Sequence, residues 1–173
     1  MDQLPPSSPD TPHQATSAAR FDVANRLFLR LYQASNLLHK TGTKAVSRYG
    51  ATTQQWAVLG ALSRPAARKH GLTVKQLLAF LMVSRQNLTA VLDRLEAAGL
   101  LERVRIAGDG RLRHIRLTPR GAETWRAMQA DIRVYYETAL KDFPTQDVVQ
   151  LFHLLDRLKN SLAQIADPDE PDR

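Results

Sequence analysis

The chain contains no cysteine, which excludes disulfides, thiolate metal sites and thiol-based redox sensing at once. No apolar run approaches the ~18 residues of a membrane helix. The longest candidate, Leu77 to Val83, is far too short. A basic segment followed by an apolar one is missing from the N-terminus, so no secretory signal is read there. Glycine and proline are not enriched, and a folded, cytoplasmic protein without a membrane partner is expected. Catalytic signatures are equally scarce. The five histidines (His13, His39, His70, His114, His153) are scattered with no i, i+4 pair, and no carboxylate stands at metal-ligand spacing. There is no Gly-rich phosphate loop and no nucleophile elbow. Asp93 and Glu96 read as solvated surface on a helix. The chain is therefore expected to be no enzyme and to need no cofactor or metal.

What is present is positive charge. The 173 residues carry a formal charge of +7 and a pI of about 10.1, which favours a polyanionic partner. Residues 1–19 hold four of the nine prolines among Ser, Thr, Asp and Gln and read as a disordered tail. Residues 167–173 (DPDEPDR) end the chain as a second, acidic tail, so the basic charge belongs to the middle.

Between the tails the periodicity is helical. Ala24, Leu27, Phe28, Leu31 and Leu38 predict a long first helix from Phe21 to about Thr41, and a short one covers Lys44 to Tyr49. Thr53 is placed to cap the next helix, with Trp56, Leu59 and Leu62 inward, and Arg64-Pro65 ends it. Leu72 and Thr73 open a helix, Met82-Val83-Ser84 is a tight turn, and Ser84 caps a further helix that buries Leu88, Val91, Leu92 and Leu95. Gly99 stops it as a left-handed residue. Alternation at 103–106 and 113–117, joined through Gly108-Asp109-Gly110, predicts a two-stranded hairpin. Thr118-Pro119 begins a long helix to about Phe143. Pro144 breaks the pattern, and a final helix from Thr145 to about Ile165 carries the stripe Val148, Leu151, Phe152, Leu155, Leu158 and Leu162.

Two helices joined by a short turn, with a basic hairpin following the second, spell a winged helix-turn-helix. The fold class expected is mainly α with a small β-hairpin wing, joined to a helical dimerisation region. Residues 51–117 form the DNA-binding part and residues 20–50 with 118–166 the dimerisation part. With one face of the second helix buried, Ser84, Arg85, Gln86, Asn87, Thr89 and Ala90 remain outward near its N-terminus. Arg can fork to guanine, Asn or Gln to adenine, and Thr or Ala can meet the thymine methyl. From Arg103 to Arg120 there are six arginines against one acid, Asp109. A tip of Asp109-Gly110-Arg111 would offer a guanidinium to a narrow minor groove, which attracts arginine by its negative potential. Arg103, Arg105, Arg113 and Arg116 sit lower as phosphate candidates. A charge run alone is more often a solvated hairpin face, and it is the order of elements that favours double-stranded DNA.

The run Leu88-Thr-Ala-Val-Leu-Asp-Arg-Leu-Glu-Ala-Ala-Gly-Leu-Leu-Glu-Arg103, then Asp109-Gly-Arg111, five residues, and Leu117-Thr-Pro-Arg-Gly121, resembles the multiple-antibiotic-resistance regulator (MarR) family from about Phe21 to Ile165. The resemblance implies a triangular homodimer joined through the first and the two C-terminal helices. It implies binding to pseudo-palindromic promoter DNA, repression, and release by a small phenolic or aromatic-acid effector. By the motif, Arg111 takes the minor-groove role and Asp109 positions the wing. Ser84 to Asn87 and Ala90 fall at recognition-helix contact positions, Ala90 standing where some relatives carry a basic residue. The effector pocket implied places Phe28, Tyr32 and Trp56 near its walls, with His39 as a polar candidate. The reading from a different class is a winged-helix interaction module that binds protein or non-specific nucleic acid without effector control.

Overall fold

The computed structural model describes residues 12–105 and 113–166. The order of elements is α1 (Pro12–Val46), a 3-10 turn (Ser47–Tyr49), α2 (Thr53–Ser63), α3 (Pro65–His70), β1 (Leu72–Thr73), α4 (Val74–Leu81), α5 (Arg85–Ala97), β2 (Leu101–Arg105), β3 (Arg113–Leu117), α6 (Pro119–Ala139) and α7 (Thr145–Ala166). The chain divides into two compact units, Met1–Met128 and Gln129–Arg173, with the boundary inside α6.

Helix α1 starts at Pro12 rather than at Phe21, so the stretch 12–19, expected to be disordered, is helical. The reason is local. Proline costs nothing at the first helical position, and no proline occurs between Pro12 and Pro65 to interrupt the helix. Residues 1–11 and 167–173 lie outside the described residues.

The first unit is built around α2. Val58, Leu59 and Leu62 on it are buried, as are Leu77 of α4, Leu88, Leu92 and Leu95 of α5, Leu101 of β2, Ile115 of β3 and Met128 of α6. Because α2 packs against α1, α3, α4, α5 and β3, it is apolar on most of its circumference, as a central helix must be. Its cap is Thr52, one residue before the position expected, in a capping box with Gln55. Arg64-Pro65 ends α2 as expected, but Pro65 also opens a separate short helix that the periodicity does not reveal. Leu72 and Thr73 differ again from the sequence reading. They form a two-residue strand, with Thr73 then capping α4 through Gln76. The wing is therefore a three-stranded antiparallel sheet in the order β1-β3-β2, with Leu72 opposite Ile115 and Leu101 opposite Leu117.

The Leu-Thr-x-x-Gly motif has a structural explanation at the base of this sheet. The Leu100 carbonyl accepts from Thr118 N at 3.1 Å, while Thr118 Oγ1 donates to Gly99 O at 2.7 Å and accepts from Gly121 N at 3.0 Å. The first turn of α6 is thus pressed onto the end of α5. A Cβ at Gly121 would stand 1.8 Å from the Leu100 carbonyl oxygen, so no side chain fits there.

In the second unit, α7 buries none of its side chains. Phe152 is 63% and Ile165 75% exposed.

Gly121→Ala is expected to cost about 3–5 kcal/mol, the scale of a backbone clash that cannot relax. Chemical denaturation that leaves the midpoint within experimental error of the parent would refute the close approach.

Candidate nucleic-acid interface

Helix α4, the turn Met82–Ser84 and helix α5 make the helix-turn-helix. Leu78 O accepts from Met82 N at 2.8 Å, and Met82 itself is left-handed (φ 52), which turns the chain sharply out of α4. Ser84 then caps α5, its hydroxyl accepting from Asn87 N at 3.3 Å. With Leu88, Val91, Leu92 and Leu95 buried, Ser84, Arg85, Gln86, Asn87, Thr89 and Ala90 are all exposed at the start of the helix. Thr89 Oγ1 donates back to the Arg85 carbonyl at 2.8 Å, so its hydroxyl is already committed.

On the wing the basic residues fall into two groups. Arg103, expected as a phosphate contact, lies between two carboxylates of α5. It reaches Asp93 Oδ1 at 2.6 Å and also bonds Glu96. Arg116 pairs at 2.7 Å with Glu102, the residue it faces in register across the strands. Both guanidiniums are engaged within the subunit, and Asp93 and Glu96 are a clamp on the wing rather than idle surface. The clamp fixes β2 to α5, so the angle between the two is held by charge as well as by packing. Arg105 and Arg113, by contrast, have no carboxylate partner among the described residues; Arg113 is exposed and leads directly towards the hairpin tip. The tip itself, with Asp109 and Arg111, lies outside the described residues.

The four effector candidates all lie in the first unit, and they do not meet in one enclosed place. Trp56 is 7% exposed, and its ring stands 3.3 Å from where a Cβ on Gly42 would be. Nearby, Thr53 Oγ1 donates to the His39 carbonyl at 3.0 Å and shares a 2.9 Å hydrogen bond with Thr43 Oγ1. His39 and Trp56 thus belong to the crossing of α1 and α2, where the His39 side chain is exposed. Phe28 and Tyr32 stand on α1 some two to three turns earlier, ~10–16 Å along the axis. They are 47% and 66% exposed. Among the described residues of the first unit, nothing roofs them.

Among the described residues there is no group of three or more His, Cys, Asp or Glu able to hold a metal ion. No described helix is long and apolar enough to cross a membrane.

Comparison with known proteins agrees with this architecture. Residues 49–112 match the model of the MarR family. The transcriptional activatory protein BadR of Rhodopseudomonas palustris is 46% identical over 150 residues, covering 86% of this chain and 85% of that protein. The homoprotocatechuate degradative operon repressor of Escherichia coli is 29% identical over 131 residues, covering 75% of this chain and 85% of the repressor. Among solved structures, the PcaV regulator of Streptomyces coelicolor in complex with its natural ligand superposes with a TM-score of 0.64 at 28% identity, covering 80% of this chain and 92% of PcaV.

Replacing Arg103 by Ala is expected to lower stability by about 1 kcal/mol, the scale of a partly exposed, doubly bonded ion pair. It should also speed amide exchange on β2 and β3. Unaltered exchange there would mean that the clamp does not hold the wing. The helix-turn-helix, the three-stranded wing and the identity to BadR along most of both chains lead to one conclusion: the chain belongs to the MarR family of transcriptional regulators.

Proposed function

We propose that this regulator binds pseudo-palindromic promoter DNA as a homodimer and is released from it by a small aromatic acid or phenol, acting in its simplest form as a repressor. The observation that carries the reading is the exposed polar start of α5 beside a basic wing strand, both fixed to one buried core. Arg85, Gln86 and Asn87 are the base readers, with Ser84, Thr89 and Ala90 beside them. Arg113 holds phosphate, Asp109 positions the tip, and Arg111 enters the minor groove.

The dimer is supported by what each chain leaves uncovered. Phe21, Leu27 and Leu37 of α1 are exposed, and so are Leu151, Phe152, Leu155 and Leu162 of α7. Monomers in water do not carry apolar faces of this extent without a partner. A second copy related by a two-fold axis covers equivalent faces on both chains and sets two recognition helices roughly 34–36 Å apart, one turn of DNA.

An aromatic effector is supported by the relatives, a repressor of homoprotocatechuate degradation and a regulator solved with its natural ligand. In the proposed dimer the second copy supplies the roof that Phe28 and Tyr32 lack, while Trp56 and His39 supply a wall at the crossing of α1 and α2. To act, the ligand must bind the DNA-incompetent arrangement more tightly than the competent one, because equal affinity shifts nothing. The 46% identity to an activator favours a second reading of the sign alone. The same dimer placed where it aids polymerase would activate, and transcription from its promoter in vitro with and without the protein separates the two.

Arg111→Ala is expected to weaken operator binding by roughly 1–3 kcal/mol while the melting temperature holds. Gel shift on the DNA flanking the coding region, with competitor present, measures it. Equal affinity of parent and variant would remove the wing from the site. Benzoates and phenols should raise the melting temperature and loosen the DNA complex, and if a panel does neither, the effector class is wrong.

A further inference from the structure

No Asp or Glu occurs between Asp22 and Asp93, although that stretch contains the turn of the helix-turn-helix, α3 and ten lysines and arginines. Apart from Arg26, which pairs with Asp22 at the edge of the stretch, cations are therefore concentrated where the stretch itself supplies no acid. Within it, α3 and its flanks carry Arg64, Arg68, Lys69 and Lys75, all exposed and none with a carboxylate partner among the described residues. That is the opposite of Arg103 and Arg116, which carboxylates of the same subunit engage.

Two of these cations, Arg64 and Arg68, are also held in place. Arg68 Nε donates to the Ser63 carbonyl at 2.7 Å, which orients the guanidinium and leaves its two terminal nitrogens unused by that bond. Arg64 lies over the Phe80 ring, 4.6 Å from its centroid. The helix is in turn fixed to the wing. His114 Nδ1 of β3 donates to the His70 carbonyl at 3.0 Å. Gly71 brings the end of α3 so close that a Cβ there would stand 2.5 Å from Ile115 O. Sheet order completes the placement: β2, against which α5 packs, is one edge, and β1, which follows directly from α3, is the other.

We infer that α3 and its flanks form a second phosphate-binding surface, in which Arg68 and Lys69, with Arg64 beside them, grip the DNA backbone on the side of the wing away from α5. The inference rests on the proposed DNA-binding function and extends its footprint beyond the bases that α5 and the wing read. The occupant is the DNA backbone because the surface is continuous with the basic wing strand and because two orientation-fixed guanidiniums suit phosphate oxygens. Such interactions add affinity and salt dependence without adding sequence preference.

The test compares the full-length protein with the Arg68→Ala/Lys69→Ala double variant by fluorescence anisotropy. Operator and scrambled duplexes are titrated over a series of potassium chloride concentrations. Removing one cation from a phosphate flattens the slope of log affinity against log salt by about 0.9, so removing two in each half-site flattens it by about 3–4. Affinity at low salt should fall by at least tenfold, with the preference for operator over scrambled DNA unchanged. Trimming the duplex just outside the wing should weaken the parent and leave the variant unaffected. The Arg68→Lys/Lys69→Arg variant keeps both charges and should keep the parent slope, which separates charge from any loss of folding. An unchanged slope in the Ala variant overturns the inference, including the case in which the surface serves an acidic protein instead. A parent that binds DNA without preferring its operator sinks the proposed function. The slope comparison on scrambled duplex still decides the role of α3.

Discussion

The approach of two backbones at Leu100 governs how α5, the wing and α6 are joined. Its carbonyl receives Thr118 N, and Gly121 is bare so that α6 can begin against it. That one junction joins the end of α5, the base of both wing strands and the start of α6. Loosening it would free all three together, because the strands Leu101–Arg105 and Arg113–Leu117 start and end there. A signal that reached α6 would therefore arrive at α5 and the wing as a single displacement of a stiff body.

Charge is distributed with the same economy of parts. Three acids of the first unit, Asp93 and Glu96 on α5 and Glu102 on β2, hold Arg103 and Arg116. Those pairs shape the wing and contribute little to the external field. The cations of α3 and its flanks precede them in sequence, are exposed, and have no carboxylate partner among the described residues. Formal charge alone does not distinguish the two groups, since a guanidinium bonded to two carboxylates and one facing solvent count equally in a pI.

Much of this was legible in the chain because it rests on local chemistry. The Ser84 cap, the buried face of α5 and the left-handed Gly99 (φ 68) all follow from residue types at fixed spacing, whereas α6 stops at Ala139 and not, as expected, at about Phe143 before Pro144. What was not legible depended on partners distant in sequence. Leu72-Thr73 is too short to show alternation and becomes a strand only because Ile115 and His114 lie opposite. The engagement of Arg103 needs α5 beside β2, which no periodicity announces. Helix α3 is shorter than any window in which a 3.6-residue repeat can be recognised. The one-residue shift of the α2 cap from Thr53 to Thr52 was decided by Gln55, whose side chain closes the box only from three positions on. The effector candidates depended on still less local information, since Phe28 and Tyr32 are exposed and any cover for them must come from outside the described residues of the first unit.

The hydrogen bond from Thr89 Oγ1 to the Arg85 carbonyl has a consequence for how a base would be met. With its oxygen turned back to the helix, this threonine would present carbon to a DNA groove in the proposed complex. A thymine and a 5-methylated cytosine carry the same methyl on the same ring edge, so a contact at that point would not tell them apart, whereas unmodified cytosine would leave a gap. Chemical modification of the DNA, and not only its sequence, would then register at Thr89.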